Sequence, residues 1–364
     1  MFDGVDGLLT EAVAMGVFPG TSICVRSGSS VLHQFSAGRA EVRPTVRPAT
    51  DETIWDVASL TKALATTPIA MAMVDAGLLD LDAPVREVLT DAGEDITARH
   101  LLTHTSGLPA WMAMAETIGL KGAGTSAVRD EVLRLARTAP VQAPPGTRYQ
   151  YSDLGFLALC AQLETIGGMR LDGLYERYVR APSGVDMRFG WPSAAATEEC
   201  PVRGSLIRGE VHDLNAWLMG GVSSHAGLFS SAANMAAAAA WQLQAWQGTE
   251  GLGISPTIVR QFWGEQAVGS HHLGWDGVSP NGSAGSQWPI DGVGHLAFTG
   301  CSVWIAPRQD LVVAWATNRV HPEIEGGAVP NAPISPRYAA FRALRPRVHT
   351  AVVEAMKLSS RWPQ

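Results

Sequence analysis

Residues 59–77, SLTKALATTPIAMAMVDAG, are the stretch of this sequence that decides the fold. The stretch is apolar on nearly every side and stops at a glycine, a pattern that predicts a buried central helix. Pro68 lies inside it, and we expect a kink there because proline has no N–H to donate. Ser59 and Lys62 stand out as polar residues at the start of this apolar segment.

These two residues have the spacing of an SxxK motif, in which a hydroxyl and an amine lie three positions apart. Residues at i and i+3 share one face of a helix, so the two groups can meet. Ser59 opens the helix, where its backbone N–H lies at the positive end of the helix dipole and can stabilise an oxyanion. A serine needs a neighbouring base to act as a nucleophile, and Lys62 can be that base if burial lowers its pKa.

The alternative interpretation makes Ser59 an ordinary helix cap and Lys62 a solvated helix residue. Two observations weigh against it. Of the 27 basic residues only Lys62, Lys121 and Lys357 are lysines, and arginine cannot serve as a base at neutral pH. Lys62 also belongs to a helix with almost no polar face, where an idle ammonium group is costly.

Tyr151-Ser152-Asp153 is the second candidate segment, and it follows the loop PPGT at 144–147. A phenol and a carboxylate two residues apart can reach one cleft from the same loop. The phenol can carry a proton, and Asp153 can hold Lys62. The alternative is structural: a tyrosine at the start of a helix, with Asp153 as the cap.

The third candidate segment is GHLAFTG, residues 294–300, at the start of a predicted strand. An edge strand beside the serine can supply a second backbone N–H for an oxyanion. The structural alternative for His295 is a surface histidine at a strand end.

Strand-like segments lie near both ends of the chain, and helical signals fill the middle. Alternating residues predict a β-hairpin over 21–38, and β-branched and aromatic residues predict another over 294–320, with a turn at 307–310. Helices are predicted over 3–15, 231–247 and 334–358, with more from about 80 to 210. We therefore expect a sheet domain built from 1–75 and 211–364, interrupted by a mostly helical domain over 76–210, with the active site between them.

Bulk composition excludes several classes of protein. The 364 residues are 46% hydrophobic and 17% charged, as in a globular chain, and a chain of this length predicts two domains. The net charge is −7 without any basic run, which argues against nucleic acid as a partner. The four scattered cysteines form no CxxC pair, so we expect free thiols, no metal and no cofactor.

The N-terminus has no basic region followed by a continuous apolar stretch, and no apolar run is long enough to span a bilayer. We therefore expect a cytoplasmic protein without a membrane span, or a periplasmic or secreted one if an export signal has been removed. The oligomeric state stays open.

The order SxxK, then YxD, then a histidine on a late strand resembles the motif set of serine β-lactamases and penicillin-binding proteins. The likeness is closest to the group of class C β-lactamases, DD-carboxypeptidases and β-lactamase-like esterases. It implies an α+β, β-lactamase/transpeptidase-like fold, in which an antiparallel sheet flanked by helices meets a mostly helical domain at the active-site cleft. Other segments typical of the family follow in family order: GVFPG (16–20), GLLDLDAPV (77–85), ITARHLLTHTSGLP (96–109), PPGTRYQYSDLGF (144–156) and GGVSSHAGLFSSA (220–232).

The resemblance also implies roles for single residues. Ser59 becomes the acylated nucleophile, Lys62 its general base and Tyr151 a second proton carrier. His295 takes the place of the first residue of the family's K-T-G or H-T-G triplet, as a further catalytic residue. The resemblance also implies two supporting roles. Asp153 takes the place that asparagine more often holds in the family. The backbone N–H of Phe298 forms the oxyanion hole together with that of Ser59.

The triplet is also where the chain departs from the family. Leu296 and Ala297 stand in the places of the usual threonine and glycine, and leucine has no hydrogen bond to donate to a substrate carboxylate. We therefore expect weakened carboxylate recognition, unless Arg319 binds a carboxylate from another side. A register with Phe298-Thr299-Gly300 as the triplet is disfavoured, because it leaves His295 unexplained.

Several other residues are weaker candidates. His225, in a loop that borders the cleft in this family, either contacts substrate or packs the loop, and His104 is interpreted as structural. The pair His271-His272 is assigned no role, and His212-Asp213 is a weaker candidate than His225. Three tryptophans in loop-like stretches are candidate walls of an apolar acyl pocket: Trp111, Trp275 and Trp288.

The expected function is a serine hydrolase that forms a covalent acyl-enzyme with a small-molecule ester, amide or peptide-like substrate. A carboxylesterase or amidase is the leading prediction. A DD-carboxypeptidase or β-lactamase, and an acyltransferase on the same scaffold, are the alternatives. A catalytically idle binding protein is disfavoured, because Ser59, Lys62 and Tyr151 are all present.

Overall fold

The structure is a computed structural model that describes residues 1–93, 95–265, 268–324, 333–359 and 362. Within these residues the strands are β1 (Gly20–Ser27), β2 (Ser30–Glu41), β3 (Arg47–Pro48), β4 (Trp55–Asp56), β5 (Arg188–Phe189), β6 (Ala196–Cys200), β7 (Ser205–Arg208), β8 (Leu228–Ser230), β9 (Asp276–Gly277), β10 (Val293–Leu296), β11 (Ser302–Ala306) and β12 (Leu311–Thr317). The α-helices are α1 (Asp3–Ala14), α2 (Thr67–Asp75), α3 (Ala98–Leu102), α4 (Met114–Ile118), α5 (Ser126–Arg137), α6 (Asp153–Gly167), α7 (Leu171–Tyr175), α8 (Ala181–Ser183), α9 (Leu214–Leu218), α10 (Ala232–Gln247), α11 (Pro256–Gly264) and α12 (Pro336–Leu358).

An antiparallel sheet with the strand order β3-β2-β1-β12-β11-β10-β9 joins the two ends of the chain. β1 pairs directly with β12, so that Thr21 lies opposite Thr317 and Ser27 opposite Leu311. The hairpins predicted near the two termini are therefore neighbours in one sheet. This is the arrangement of sheet and helices that the sequence predicts.

Alternation along the central strands separates two apolar layers, because successive strand residues point to opposite faces. On one face large side chains such as Trp315 pack with α1 and α12. On the other face small residues, Cys24, Ala314 and Ala316, belong to the same core as α10 and the central helix. The sequence of α10 is itself rich in alanine, so this helix can approach the sheet closely.

The central helix predicted over 59–76 is present, but its pitch is not uniform. Residues Lys62–Thr66 form a π-helical segment, in which the N–H of Thr67 donates to the carbonyl of Lys62, and α2 continues from there. Pro68 follows this segment by two residues, inside the continuous helix, and has no N–H to donate to the preceding turn. The irregularity expected at Pro68 thus takes the form of π-helical turns just before it.

The strand predicted over 294–307 divides into β10 and β11. The N–H of Ala297 donates to Cys301 and the N–H of Gly300 donates back to Ala297, which closes a tight turn. Gly300 has a φ of +101°, and a Cβ there would lie 2.2 Å from Thr317 Oγ1, so only glycine fits. The turn places Phe298 at the tip of a hairpin.

Residues 76–210 contain the helices α3 to α8. They also contain the short strands β5 to β7, which are too brief to show an alternating pattern in the sequence. Whether this part forms a separate domain stays a prediction.

All four cysteines are buried free thiols, as expected. In the described part of the chain no helix combines the length and apolar character needed to cross a membrane.

Candidate active site

Ser59 lies half-buried at the start of the central helix, and the residues just before it hold it there. Ala58 has a φ of +43°, a left-handed conformation that strains an alanine. The Asp56 carboxylate accepts the N–H of Ala58 at 2.8 Å and that of His212 at 2.7 Å. These two hydrogen bonds fix the turn that presents the serine.

Lys62 is fully buried, and its ammonium group has three hydrogen-bond acceptors. The Nζ atom lies 3.2 Å from Ser59 Oγ, 2.7 Å from Asp153 Oδ1 and 3.2 Å from the carbonyl oxygen of His225. The three contacts match the three N–H groups of an ammonium. The structure thus brings together the hydroxyl, the amine and the carboxylate that the sequence singles out.

The pKa of Lys62 is raised, whereas burial alone would lower it. Burial does disfavour the ammonium, but the Asp153 carboxylate and the Tyr151 phenol group favour it and outweigh the burial. The sequence analysis paired Asp153 with Lys62 but did not weigh the effect of this carboxylate on the Lys62 pKa. Lys62 is therefore charged in the resting protein at neutral pH, and it must lose a proton before it can accept one from Ser59.

His225 is buried and supports Lys62 through its backbone carbonyl. Its ring nitrogens Nδ1 and Nε2 lie 2.8 Å from Ser223 Oγ and 2.9 Å from Asp213 Oδ1, so both are engaged and neither is free for a substrate. Asp213 also caps α9 by accepting the N–H of Ala216. Burial opposes ionisation of Asp213, but His225 overcomes this and holds the carboxyl pKa well below its usual value.

Atoms of Asp153, Asp213 and His225 lie within 4.8 Å of one another, a spacing that can hold a metal ion. The Lys62 ammonium already bonds to Asp153 and to the carbonyl of His225. A second cation would meet this positive charge at close range, so the arrangement suits the lysine better than a metal.

Tyr151 packs against Lys62, whose Nζ lies 4.9 Å from the centre of the phenol ring. Burial raises the pKa of Tyr151, and the positive charge of Lys62 offsets this only in part, so the phenol is protonated at rest. His104 supports the segment: its Nδ1 accepts the N–H of Ser152 at 3.1 Å, and its ring lies 4.3 Å from that of Tyr151.

β10 pairs with β9 only at its first two residues, so His295 and Leu296 extend past the end of β9. His295 is 2% exposed, and its ring centre lies 6.1 Å from that of Tyr151. Its Nδ1 lies 2.8 Å from the carbonyl oxygen of Leu296, which assigns the proton to Nδ1. Burial lowers the pKa of His295 well below its usual value, so the imidazole beside Tyr151 is neutral.

Phe298 lies in the turn that follows β10, not on the strand itself. Thr299 Oγ1 donates to the carbonyl of Asp56 at 2.8 Å, which ties this turn to the segment that carries Ser59. Among the residues that the structure describes, the backbone N–H groups of Ser59 and Phe298 have no acceptor. Both are therefore available as oxyanion donors.

Arg319 is engaged elsewhere and does not serve as a ready carboxylate binder. Its guanidinium donates to the carbonyl of Phe298 and lies 4.8 to 5.6 Å from the centres of three aromatic rings. Ala297 is 6% exposed in the turn, and Leu296 is partly exposed. The family's threonine position thus carries an apolar side chain in this site.

The sequence assigned no role to His271, yet the structure places it in this cluster. It is 5% exposed, and its ring centre lies 5.9 Å from that of Tyr151 and 6.0 Å from that of His295. A histidine pair in an irregular glycine-rich loop shows no periodic pattern, so only the tertiary contacts reveal it. Asp213 also reaches the site, through His225.

The three tryptophans proposed as pocket walls differ in their burial and position. Trp275 and Trp288 are buried, and Trp288 belongs to the apolar layer under α1 and α12 rather than to the cleft. Trp111 is 48% exposed and remains a candidate for the rim of the site.

Comparisons with known proteins agree with this geometry. A sequence profile of the family described as "Beta-lactamase" matches residues 5–330. An N-acetylmuramyl-L-alanine amidase of Bacillus subtilis is 28% identical over 380 residues, which cover 90% of this chain and 83% of that protein.

Two solved structures share the fold. EstCE1, described as a hydrolase with promiscuous acyltransferase activity, has a TM-score of 0.73 at 22% identity and covers 94% of this chain and 98% of its own. A mutant of simvastatin synthase from Aspergillus terreus also has a TM-score of 0.73, at 19% identity, and covers 97% and 95%. The predicted β-lactamase/transpeptidase-like α+β fold is confirmed, and the chain belongs to the family described as "Beta-lactamase".

Proposed function

We propose that this protein hydrolyses esters or amides of small, uncharged acyl groups through a covalent acyl-enzyme on Ser59. The observation that carries the proposal is the contact of Ser59 Oγ with Lys62 Nζ at 3.2 Å, at the start of a helix and after a strained alanine. A nucleophile within hydrogen-bond reach of a base that a third group orients is the arrangement that acyl transfer needs. Asp153 is that third group.

The first step is attack by Ser59 Oγ on the carbonyl carbon, with loss of the hydroxyl proton to the Lys62/Tyr151 pair. Because Lys62 is charged and the Tyr151 phenol is protonated at rest, Lys62 first releases one proton to solvent. Its neutral amine then accepts the Ser59 hydroxyl proton, with the Tyr151 hydroxyl as the neighbouring proton carrier. The carbonyl oxygen becomes an oxyanion between the backbone N–H groups of Ser59 and Phe298. A preorganised donor of this kind contributes about 3–4 kcal/mol to transition-state stabilisation.

The second step is loss of the leaving group, which takes a proton through Tyr151. Water then attacks the acyl-enzyme, and the same pair accepts its proton. The bond between the acyl carbon and Ser59 Oγ breaks, the proton returns to Ser59 Oγ, and the acid product leaves. His295, a neutral imidazole with a protonated Nδ1, lies beside Tyr151 and completes the proposed catalytic set. The chain's own side chains supply each proton transfer in this sequence.

The proposed preference for uncharged acyl groups follows from the side chains that lie near Ser59. Leu296 has no hydrogen-bond donor, and burial keeps His295 neutral. The guanidinium of Arg319 is bound to a backbone carbonyl and enclosed by aromatic rings. A substrate carboxylate therefore finds little to compensate for its desolvation. This counts against DD-peptidase or β-lactamase activity.

The amidase of Bacillus subtilis supports an amide as a second kind of scissile bond. EstCE1 supports transfer of the acyl group to an alcohol or amine as an alternative to hydrolysis. Both outcomes use the same acyl-enzyme, so they differ in the leaving group and the acceptor rather than in Ser59.

Steady-state kcat/KM for p-nitrophenyl acetate, nitrocefin and a D-Ala-D-Ala peptide tests the proposal, with Ser59→Ala as the background. We expect the acetate ester to be turned over at least tenfold better than the other two. A wide advantage for nitrocefin or for the peptide would overturn the uncharged-acyl assignment. Undiminished ester hydrolysis by Ser59→Ala would overturn the acyl-enzyme itself.

A further inference from the structure

The loop at 268–276 enters the active site from the sheet side, just before β9 and β10. Gly269 has a φ of +102°, and a Cβ there would lie 2.6 Å from the ring of Tyr149. Gly274 donates its N–H to the carbonyl of Leu102, and a Cβ there would lie 2.0 Å from Thr67 Oγ1. The loop is therefore pressed against the tyrosine segment on one side and against the central helix on the other.

His271 is the side chain that this loop inserts between the two halves of the site. Its Nδ1 lies 2.9 Å from the hydroxyl of Tyr149 and 3.3 Å from Asp276 Oδ1. Its ring centre lies 4.9 Å from that of His104. With the contacts to Tyr151 and His295 described above, the ring touches the proton carrier and the neutral imidazole at once.

We propose that His271, fixed by the hydroxyl of Tyr149 and by Asp276, is a positioning residue that sets the distance and orientation between Tyr151 and His295. This inference rests on the proposed acyl-enzyme function, because it concerns the proton transfers of that reaction. His271 itself touches no reacting atom. It acts through Tyr151, which lies two residues after Tyr149 on the same segment.

Two further features fit a positioning role. The ring is neutral at physiological pH, since burial lowers the pKa of His271 to about 3, so it adds no competing positive charge beside Lys62. Tyr149 and Asp276 come from opposite sides of the site, the first from the helical part and the second from β9. The hydrogen bond of His271 to Tyr149 and its close approach to Asp276 therefore link the segment of Tyr151 to the strand beside that of His295.

The geometry predicts which kinetic constant changes. A misplaced proton carrier slows the chemical step, whereas other residues account for the proposed preference for uncharged acyl groups. Small displacements of catalytic groups cost about tenfold to a hundredfold in rate. Loss of the His271 contact should thus lower kcat and leave KM nearly unchanged.

The test is a double-mutant cycle with Tyr149→Phe and His271→Phe, assayed with p-nitrophenyl acetate. Tyr149→Phe removes one hydroxyl and keeps the ring, so it reports the contact even if His271→Phe folds poorly. His272→Phe is the matched control, because it alters the neighbouring histidine, whose Nδ1 lies 3.1 Å from the carbonyl of Glu265, away from Tyr151.

We expect each of the two variants to lower kcat by about tenfold with KM within twofold. The double variant should be no slower than the slower single variant, because both remove the same contact. The control should keep kcat within twofold. A folded Tyr149→Phe with unchanged kcat, or losses that multiply in the double variant, would overturn the positioning role. Labelling of Ser59 by a fluorophosphonate in the same variants reports the acyl-enzyme function separately.

Discussion

Asp153 Oδ1 lies 2.7 Å from Lys62 Nζ, and this carboxylate keeps the Lys62 side chain in its charged form. Lys62 therefore combines two properties that conflict. It is completely buried, as a base in a low-dielectric site would be, yet a neighbouring negative charge raises its pKa. The balance between these two effects sets the pH at which the protein works.

Asp153→Asn should move the activity of the protein toward lower pH. The amide keeps a hydrogen-bond acceptor beside Lys62 but removes the charge that raises its pKa, while burial, which lowers it, remains. The neutral amine then becomes available at lower pH. The rise of kcat/KM with pH, measured with an uncharged ester from pH 6 to 10, should begin earlier than in the parent protein. Asp172→Asn, at the exposed start of α7, is the matched control and should leave the profile unchanged. An unshifted Asp153→Asn profile would show that Lys62 need not be neutral.

Lys62→Arg should be nearly as damaging as Lys62→Ala, because arginine keeps the charge but cannot act as a base at neutral pH. Loss of a general base costs about 10²–10⁴ in rate. Burst-phase measurement with p-nitrophenyl acetate isolates the acylation step. If the arginine variant acylates at the parent rate, Lys62 acts only as a positive charge.

Leu296→Thr should shift preference toward substrates that bear a carboxylate. A hydrogen bond to a charged group contributes about 1.5–3 kcal/mol, or about tenfold to a hundredfold in relative kcat/KM. Leu296→Val is the control, since valine has the shape of threonine without the hydroxyl. The ratio of nitrocefin to acetate-ester turnover should rise for threonine and not for valine. Equal ratios in the two variants would remove Leu296 from specificity.

The protein should lose stability as the pH falls below about 6.5. Burial lowers the pKa of His271 to about 3 and that of His349 to about 4, and it lowers those of His104 and His295 well below the usual value. Below pH 6.5 the unfolded chain takes up protons that the folded protein does not, so stability is greatest above this pH and falls toward the folded pKa values.

Each such histidine contributes about 1.4 kcal/mol to the free energy of unfolding per pH unit in that window. Urea unfolding at pH 7, 6 and 5 measures the slope. His349→Phe, in the sheet layer away from the active site, should reduce the slope by up to one histidine's share. A free energy of unfolding that is constant from pH 7 to 5 would contradict the buried, neutral state of these residues.

Much of the fold was predictable from local pattern. The alternating residues near β1, the continuous apolar run of β12 and the all-round apolar character of the central helix are strong signals, since each reflects burial. The break between β10 and β11 was missed, because the run has no proline or Asn-Gly pair at the turn and only Gly300 marks it. β5 to β7 were missed because strands this short have no measurable period.

The candidate site was predictable where its residues lie in sequence motifs, and not where they meet through folding. Ser59 and Lys62 come together because helical spacing requires it. The raised pKa of Lys62 depends on Asp153, 91 positions away, and therefore on the tertiary structure. His271 and Asp213 come to the site from separate segments. The sequence assigned no role to His271, and it gave Asp213, with His212, only as a weak candidate.

Intact-protein mass spectrometry of the acyl-enzyme tests the central claim most directly. The protein is mixed with a slowly deacylating p-nitrophenyl ester and quenched in acid. Its mass is then measured, and the modified peptide is sequenced. We predict one added acyl group, carried by Ser59, and none on Ser59→Ala treated in parallel. Ester turnover without any adduct on Ser59, or an adduct of the same mass on the Ser59→Ala variant, would contradict the proposal.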